Sequence, residues 1–112
     1  MKKIEAILRP ESIDVVRKAL GIAGVTGLMI SEIEGHGKQK GVVQQWRGEK
    51  YKVELLPKTK IEIIVKDQDV GRISKAIIDS ARTGEIGDGK IFIYPVEDVI
   101  RIRTGEKGEG AV

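Results

Sequence analysis

The chain has 112 residues, of which 40% are hydrophobic, 33% charged and only 4% aromatic, and its formal net charge is +3. These values indicate one folded domain with an aliphatic core and exclude disorder. Because the chain has no cysteine and a single histidine, a disulfide framework, a cysteine nucleophile and a thiolate or histidine-cluster metal site are excluded as well. No apolar run approaches transmembrane length, so we expect a cytoplasmic protein with no direct membrane insertion.

Three elements are predicted in the first third of the chain. Residues 3–9 alternate between apolar and polar side chains, as in a half-buried strand that Pro10 ends. Ser12 is a suitable N-cap for a helix of about ten residues, whose apolar side chains recur at helical spacing. Residues 28–34 then predict a second strand.

The rest of the chain repeats this order and adds a short strand. Residues 61–66 predict the third strand, and a second helix begins at Asp67 or Asp69 and ends near Arg82. The remaining predictions are a fourth strand at 91–94, a short fifth strand at 99–103 and a mobile tail at 104–112.

The order β-α-β-β-α-β predicts an α+β fold of the ferredoxin-like class, in which two helices cover one face of an antiparallel sheet. A long loop joins strands two and three. The apolar residues Ile7, Met29 and Ile64 fall on the other face of the sheet, which predicts that further copies of the chain cover it. The predicted core consists of Ile4, Ala6, Leu8, Ile13, Val16, Ala19, Leu20, Ile61, Ile63, Val65, Val70, Ile73 and Ile77.

The segment 82–90 carries the strongest functional signal. Its three glycines tolerate positive φ, so that successive backbone N–H groups can face an anion, and Lys90 adds a positive charge. Arg101 and Arg103, two residues apart on the predicted fifth strand, would share a face and suit adjacent phosphates. The spacing alone supports two interpretations equally well, a phosphate site and a tight turn with surface arginines.

The loop at residues 35–57 is too long for an ordinary hairpin, and loops of this length are usually functional or disordered. It holds the only tryptophan, Trp46, followed by Arg47, and such side chains at a loop tip are typical anchors for a partner. A solvated turn is the alternative for Arg47. Residues 52–55 alternate and predict a strand of a protruding hairpin.

Several segments occur together in a fixed order: Leu8-Arg9-Pro10, Gly35-His36-Gly37-Lys38-Gln39-Lys40-Gly41, Leu56-Pro57-Lys58-Thr59-Lys60-Ile61-Glu62, Thr83-Gly84-Glu85-Ile86-Gly87-Asp88-Gly89-Lys90 and Arg101-Ile102-Arg103-Thr104-Gly105-Glu106. Because it carries these segments in this order, the chain resembles the PII nitrogen-regulatory signal transducers over essentially its whole length. The resemblance implies a non-enzymatic sensor, a homotrimer that binds ATP or ADP in clefts between subunits, with Mg²⁺ accompanying ATP. It also implies that 2-oxoglutarate binds beside Mg-ATP and that the long loop, the T-loop, regulates nitrogen-metabolism targets, most notably an ammonium transporter.

The resemblance divides the single domain, residues 1–112, into a T-loop at 37–55, a phosphate-binding loop at 82–90 and a C-terminal segment at 101–112. It implies nucleotide binding by Ile7, Met29, Gly37, Lys38, Gln39, Glu62, Ile64, Gly87, Asp88, Gly89, Lys90, Arg101 and Arg103. It implies 2-oxoglutarate binding by Gln39, Lys40, Gly41 and Lys58, with Gln39 also a ligand of the Mg²⁺ held by ATP. Lys58 has a second interpretation, as one more solvated lysine.

Two positions depart from the residues usual in the family. Lys38 stands where the family usually has arginine, which keeps the charge but loses the bidentate geometry. Met29 stands where many relatives carry threonine, and a thioether cannot replace a hydroxyl donor. The sequence therefore predicts fewer hydrogen bonds to the nucleotide than the resemblance alone would imply.

The resemblance implies target contacts by Trp46, Arg47 and Tyr51. Tyr51 matches a tyrosine that some relatives carry uridylylated, but its neighbours differ, so we do not expect modification here. Two other classes of protein are alternatives on the same fold: a small ATP-hydrolysing enzyme and an RNA-binding domain. The second needs aromatic residues on the central strands, where this chain has aliphatic ones, so no nucleic-acid partner is expected.

Overall fold

The computed structural model describes residues 1–37, 44–46, 49–51 and 54–112, with side chains outside 36–54. Short 3-10 turns precede both helices and a third lies near the C-terminus. The elements are β1 (Lys2–Leu8), α1 (Ile13–Ile22), β2 (Met29–Gly37), β3 (Gln44–Trp46), β4 (Glu49–Tyr51), β5 (Glu54–Val65), α2 (Val70–Ala81) and β6 (Gly89–Pro95).

Four strands form one antiparallel sheet in the order β2-β5-β1-β6. The register places Ile4 opposite both Ile63 and Ile93. Because successive side chains on a strand alternate between the two faces, this register puts all three on one side of the sheet. The short strands β3 and β4 pair as a separate hairpin in the long loop. The sheet and its two helices confirm the predicted ferredoxin-like α+β class.

The core lies between the sheet and the two helices. Val16 and Leu20 on α1, and Ile73 and Ile77 on α2, are at most 2% exposed and pack against the inward side chains of β1 and β5. Burying each such side chain contributes about 1.5–3 kcal/mol. The predicted burial of these four helix residues is confirmed. It is also confirmed for the six predicted core residues on the strands, which are Ile4, Ala6, Leu8, Ile61, Ile63 and Val65. The other predicted core residues, Ile13, Ala19 and Val70, are partly buried.

The predicted helix starts are confirmed in position but not in mechanism. Ser12 and Asp69 stand at the N-cap positions, yet neither side chain makes a capping hydrogen bond. Each helix instead continues directly from a 3-10 turn, Pro10–Ser12 before α1 and Asp67–Asp69 before α2. The preceding turn therefore sets the direction of each helix, and Asp69 is left to pair with Arg72 at 3.3 Å.

The predicted short C-terminal strand at 99–103 is wrong. Ile100 makes only an isolated bridge to a residue of the tail. The chain then reverses, because the N–H of Gly105 donates to the carbonyl oxygen of Arg101 at 2.7 Å and Gly105 has a φ of +73°. The tail folds back, since the N–H of Gly108 donates to the carbonyl oxygen of Val99 at 3.0 Å, and it ends in the 3-10 turn Gly108–Ala111. Its mobility stays a prediction.

The face of the sheet away from the helices carries a charged network. The amines of Lys3 and Lys60 lie 3.3–4.0 Å from the carboxylates of Glu5 and Glu62. The hydroxyl of Tyr94 donates to Glu5 at 2.7 Å, and this bond raises the pKa of Tyr94. The Lys3 amine also lies 4.5 Å from the centre of the Tyr94 ring. These side chains thus satisfy one another on an otherwise partly apolar face.

Both edge strands expose apolar side chains. Met29 and Ile30 on β2 are 54% and 43% exposed, and Phe92 and Ile93 on β6 are 43% and 49% exposed. Ile30 and Ile93 lie on the helix side of the sheet, where the edge position leaves them uncovered. Open edges with apolar side chains favour association, and two different edges favour a head-to-tail arrangement of copies.

Candidate ligand-binding site

Three glycines with positive φ lie in the loop that joins α2 to β6 and at its junction with β6. Their φ values are +88° at Gly84, +103° at Gly87 and +111° at Gly89, a range that other residues rarely adopt. Gly89 also has no room for a side chain, because an added Cβ would lie 1.8 Å from the carbonyl oxygen of Ile7. The path of this loop, residues 82–88, therefore requires glycine at its junction with the sheet.

The carboxylate of Asp88 is bound by its own loop. It accepts hydrogen bonds from the N–H groups of Thr83 and Gly84, at 2.8 and 2.9 Å, and from the hydroxyl of Thr83. The hydroxyl bond first, then the backbone bonds and the charge of Arg9, lower the pKa of Asp88 to about 2. The side chain of this predicted nucleotide-binding residue thus holds the loop in shape.

Replacing Asp88 by asparagine is expected to flatten the pH dependence of stability at low pH. The folded-state pKa lies below the ordinary value of 3.8. The carboxylate therefore stabilises the fold above about pH 4, and this contribution is lost as the pH falls through about 2. Chemical denaturation of Asp88→Asn between these pH values should show a shallower slope than the parent protein. The control is Asp79→Asn, on an exposed position of α2; identical profiles for the parent and Asp88→Asn would contradict the assigned role.

Two basic side chains from the sheet bind the outer turn of this loop. Arg9, directly after β1, donates to the carbonyl oxygen of Ile86 at 2.8 Å and lies 3.4 Å from Asp88. Lys58, on β5, donates to the carbonyl oxygen of Gly87 at 3.2 Å. Both contacts fix the backbone and keep positive charge beside the glycines, which favours an anion at this place.

Arg9 is a site residue that the sequence did not predict, although it lies in the segment Leu8-Arg9-Pro10. Its contact with the loop joins residues 77 positions apart, and neither periodicity nor spacing reports such a contact. Its Nε is buried and makes no hydrogen bond within the described part of the chain. The one sequence feature that points to Arg9 is its position at the end of a half-buried strand, directly before Pro10.

A second group of predicted site residues lines a different cavity. This cavity has a volume of about 500 Å³ and lies between β2, β5, the start of α2 and the C-terminus. Met29, Glu62 and Ile64 line it, together with Val99 and Val112. The glycine loop contributes no residue to it. The structure therefore brings three of the predicted nucleotide-binding residues together, but without the predicted phosphate loop.

The two groups lie on opposite edges of the sheet, since Met29 is on β2 and Gly89 and Lys90 are on β6. Met29 pairs with Glu62, and Glu62 pairs with Glu5 of β1, whereas Gly89 pairs with Leu8 of the same strand. Three positions of β1 therefore separate the two groups along the strands, about 10 Å at the usual rise per residue. Ile7 pairs with Lys90 and so belongs to the loop end. In a single chain, the two groups are thus separated both along the strands and across the sheet.

The two predicted phosphate-binding arginines lie in the turn after Val99, which itself lines the cavity. Arg101 is engaged within the turn, with its guanidinium 2.8 Å from a carboxylate oxygen of Glu106. Arg103 makes no hydrogen bond or ion pair to any residue that the structure describes. The expectation that both arginines share one face of a strand is wrong, because that strand is not formed.

The remaining predicted site residues fall in the long loop. Lys38, Gln39, Lys40, Gly41 and Arg47 lie outside the described residues. The other three occupy strands of known position: Gly37 ends β2, Trp46 ends β3 and Tyr51 ends β4.

No helix within residues 1–37 and 54–112 is long and apolar enough to cross a membrane. Among the side chains that the structure describes, no group of three or more histidine, aspartate or glutamate residues is arranged to hold a metal ion. The glycine loop, with Lys58 and Arg9 bound to its outer turn, is a candidate anion site.

Comparison with known proteins agrees with this arrangement of motifs. The family model described as nitrogen regulatory protein P-II matches residues 1–106. The chain is 57% identical to the nitrogen regulatory protein P-II of Nostoc punctiforme over 112 residues, which is the full length of both proteins. It is 53% identical over 112 residues to the nitrogen regulatory protein P-II 2 of Methanothermobacter thermautotrophicus, with all of this chain and 97% of that protein covered.

Proposed function

The chain belongs to the nitrogen regulatory protein P-II family, and from this we propose that it is a non-enzymatic signalling protein that binds ATP or ADP between neighbouring subunits of a homotrimer. The names of its relatives support a regulatory role in nitrogen metabolism.

One observation supports the intersubunit site above all others. The glycine loop leads into the edge strand β6, and the cavity with Met29, Glu62 and Ile64 lies at the opposite edge strand, β2. A nucleotide that uses both needs the loop of one copy and the cavity of the next. The open β2 and β6 edges would bring these two regions together in a head-to-tail ring, which closes with cyclic symmetry.

Within such a site, the described residues have distinct tasks. The loop supplies backbone N–H donors and Lys90 supplies a charge for the polyphosphate. The cavity lined by Met29, Glu62 and Ile64 takes the adenosine. Arg101 and Arg103 approach the phosphates of the neighbour's nucleotide, and Arg103 is free to do so in the described chain.

We extend the proposal to the T-loop on the family resemblance. Gln39 would supply a ligand to the Mg²⁺ of ATP, and Lys58 would pair with a carboxylate of 2-oxoglutarate at the base of the loop. Lys58 now donates to Gly87, so binding 2-oxoglutarate would require it to release or share that bond. Binding of Mg-ATP and 2-oxoglutarate would then set the conformation of the T-loop, which contacts the target. The first candidate for the target is an ammonium transporter, which the protein would reach from the cytoplasm.

Titration calorimetry tests the nucleotide proposal directly. We expect the purified protein to sediment as a trimer and to bind one ATP or ADP per chain, and to bind 2-oxoglutarate only with Mg-ATP present. Turnover of Mg-ATP measured in parallel should be negligible. A monomeric protein that ignores adenine nucleotides, or a rapid and saturable hydrolysis, would contradict the proposal.

Replacing Arg47 by alanine is expected to abolish target binding while leaving ATP affinity unchanged. Arg47 belongs to the long loop, and a lone guanidinium at a loop tip can anchor a partner surface. The measurement is co-purification with membranes that contain an ammonium transporter, beside an ATP titration of the same variant. Lys50→Ala in the same loop is the control. An Arg47→Ala variant that still binds the membranes would remove this residue from the proposal.

A further inference from the structure

An apolar groove of about 370 Å³ lies between the C-terminal half of α2 and the edge strand β6. Its floor is aliphatic and is formed by Leu8, Ile77, Ile78, Ala81 and Ile91. Its rim is polar and belongs to the phosphate-binding loop and its ends: Arg82, Asp88, Gly89 and Lys90. The groove therefore lies directly beside the proposed anion site, on the open edge of the sheet.

The turn after Val99 carries a side chain of the matching kind. Ile102 is 100% exposed, more than any other large hydrophobic side chain in the described residues. The base of the turn is held firmly, since the N–H of Arg101 donates to the carbonyl oxygen of Glu106 at 2.8 Å and their side chains pair at 2.8 Å. A fully exposed isoleucine on a fixed turn is a candidate for burial against a partner.

We infer that Ile102 of one subunit docks into this groove on the next subunit of the ring. The inference rests on the proposed intersubunit site and names the contact that would assemble it. Arg103 follows Ile102 directly, so docking would carry this unpaired guanidinium to the loop that forms the rim of the groove. The ring and the nucleotide site would then be completed by the same contact.

The occupant is a second copy of this chain for two reasons. The turn cannot reach the groove of its own subunit, because Val99 lines the cavity at the β2 edge of the sheet while Gly89 lies in β6, at the opposite edge. The groove is also continuous with the exposed β6 edge, the edge that the proposed ring uses.

Disulfide trapping tests the contact, because the chain has no cysteine of its own. A chain with Ile102→Cys is mixed by subunit exchange with a chain carrying Ile78→Cys, a groove residue that is 37% exposed. Oxidation should yield a disulfide-linked dimer from the mixture, since a disulfide needs Cβ atoms about 3.5–4.5 Å apart. The control replaces Ile78→Cys by Ile22→Cys, at a position on α1 that is 82% exposed. Equal cross-linking in both mixtures, or none with Ile78→Cys, would overturn the inference.

Assembly gives an independent measurement. Ile102→Gln should weaken each docking contact about tenfold, and three contacts in a ring would lower the assembly constant about a thousandfold. Sedimentation over a dilution series should therefore show dissociation at higher protein concentration than for the parent. Ile22→Gln makes the same exchange at an exposed isoleucine outside the groove and should not change assembly. An Ile102→Gln protein that assembles like the parent would refute the docking.

The two proposals can fail separately. Specific cross-linking in a protein that does not bind ATP would support the docking and contradict the nucleotide function. ATP binding by a trimer without the specific cross-link would support the function and contradict the docking. Capture of an unrelated protein by the groove, with unchanged assembly of Ile102→Gln, would count against a second copy as the occupant.

Discussion

Replacing Gly89 by alanine is expected to destabilise the fold by about 3 kcal/mol or more and to remove nucleotide binding. The backbone there has a φ of +111°, and the added Cβ would lie 1.8 Å from the carbonyl oxygen of Ile7 and 2.9 Å from its carbonyl carbon. Backbone atoms of a central strand cannot move aside cheaply, so β6 must shift away from β1. That shift would displace the loop that precedes Gly89.

Gly84→Ala is the matched control for this prediction. Gly84 also has a positive φ, +88°, but an added Cβ meets nothing within 4 Å. The Gly84→Ala variant should lose only the free energy of backbone strain, about 1–2 kcal/mol of stability. Urea denaturation and an ATP titration of both variants distinguish the effect of backbone strain, present in both, from the effect of the steric clash, present only in Gly89→Ala. Equal losses at the two positions would show that the close approach of β1 and β6 at Gly89 does not matter.

Mixing two defective proteins is expected to restore part of the nucleotide binding. Lys90→Ala and Arg103→Ala should each lower ATP affinity by about 1.5–3 kcal/mol, the range for a hydrogen bond that involves a charged group. If each site takes Lys90 from one subunit and Arg103 from the next, a random mixed trimer contains intact sites. In an equal mixture, about one site in four combines both native residues, because each comes from either variant with equal chance.

Calorimetry after subunit exchange measures this recovery. The mixture should show a high-affinity phase with about a quarter of the sites, while each variant alone shows none. A mixture of Lys90→Ala with Lys90→Ala,Arg103→Ala serves as the control, because no combination of these chains restores a complete site. Absence of the high-affinity phase in the first mixture would mean that both residues act within one subunit, or that one of them does not act on ATP.

The sequence predicted the fold well where local periodicity determines it. Alternation in β1 and β5 and the helical stripes of α1 and α2 identified the buried residues, because burial of one face leaves a regular spacing. The prediction failed at 99–103, where alternation continues into residues that turn. Gly105, with its positive φ and its bond to Arg101, ends the extended run, and a hydrogen bond within a turn leaves no periodic trace.

The candidate site was predicted in its residue types rather than in its arrangement. The glycine motif indicated the loop, but not that Asp88 would turn its carboxylate back onto Thr83 and Gly84. Arg9 was missed, since its contact with Ile86 depends on the tertiary fold. The separation of Met29 and Glu62 from the loop also became visible only through the strand register, which no single segment of sequence specifies.

The lysine–glutamate network on the outer face of the sheet also bears on how the chain avoids a misaligned fold. Moving β1 past β5 by one position would turn Lys3 and Glu5 toward the helices and expose Ile4 in their place. Each ion forced into that apolar interior without a partner would cost several kcal/mol, far more than one lost aliphatic contact. The charged side chains on this face therefore destabilise the misaligned fold in which β1 is shifted by one residue against β5.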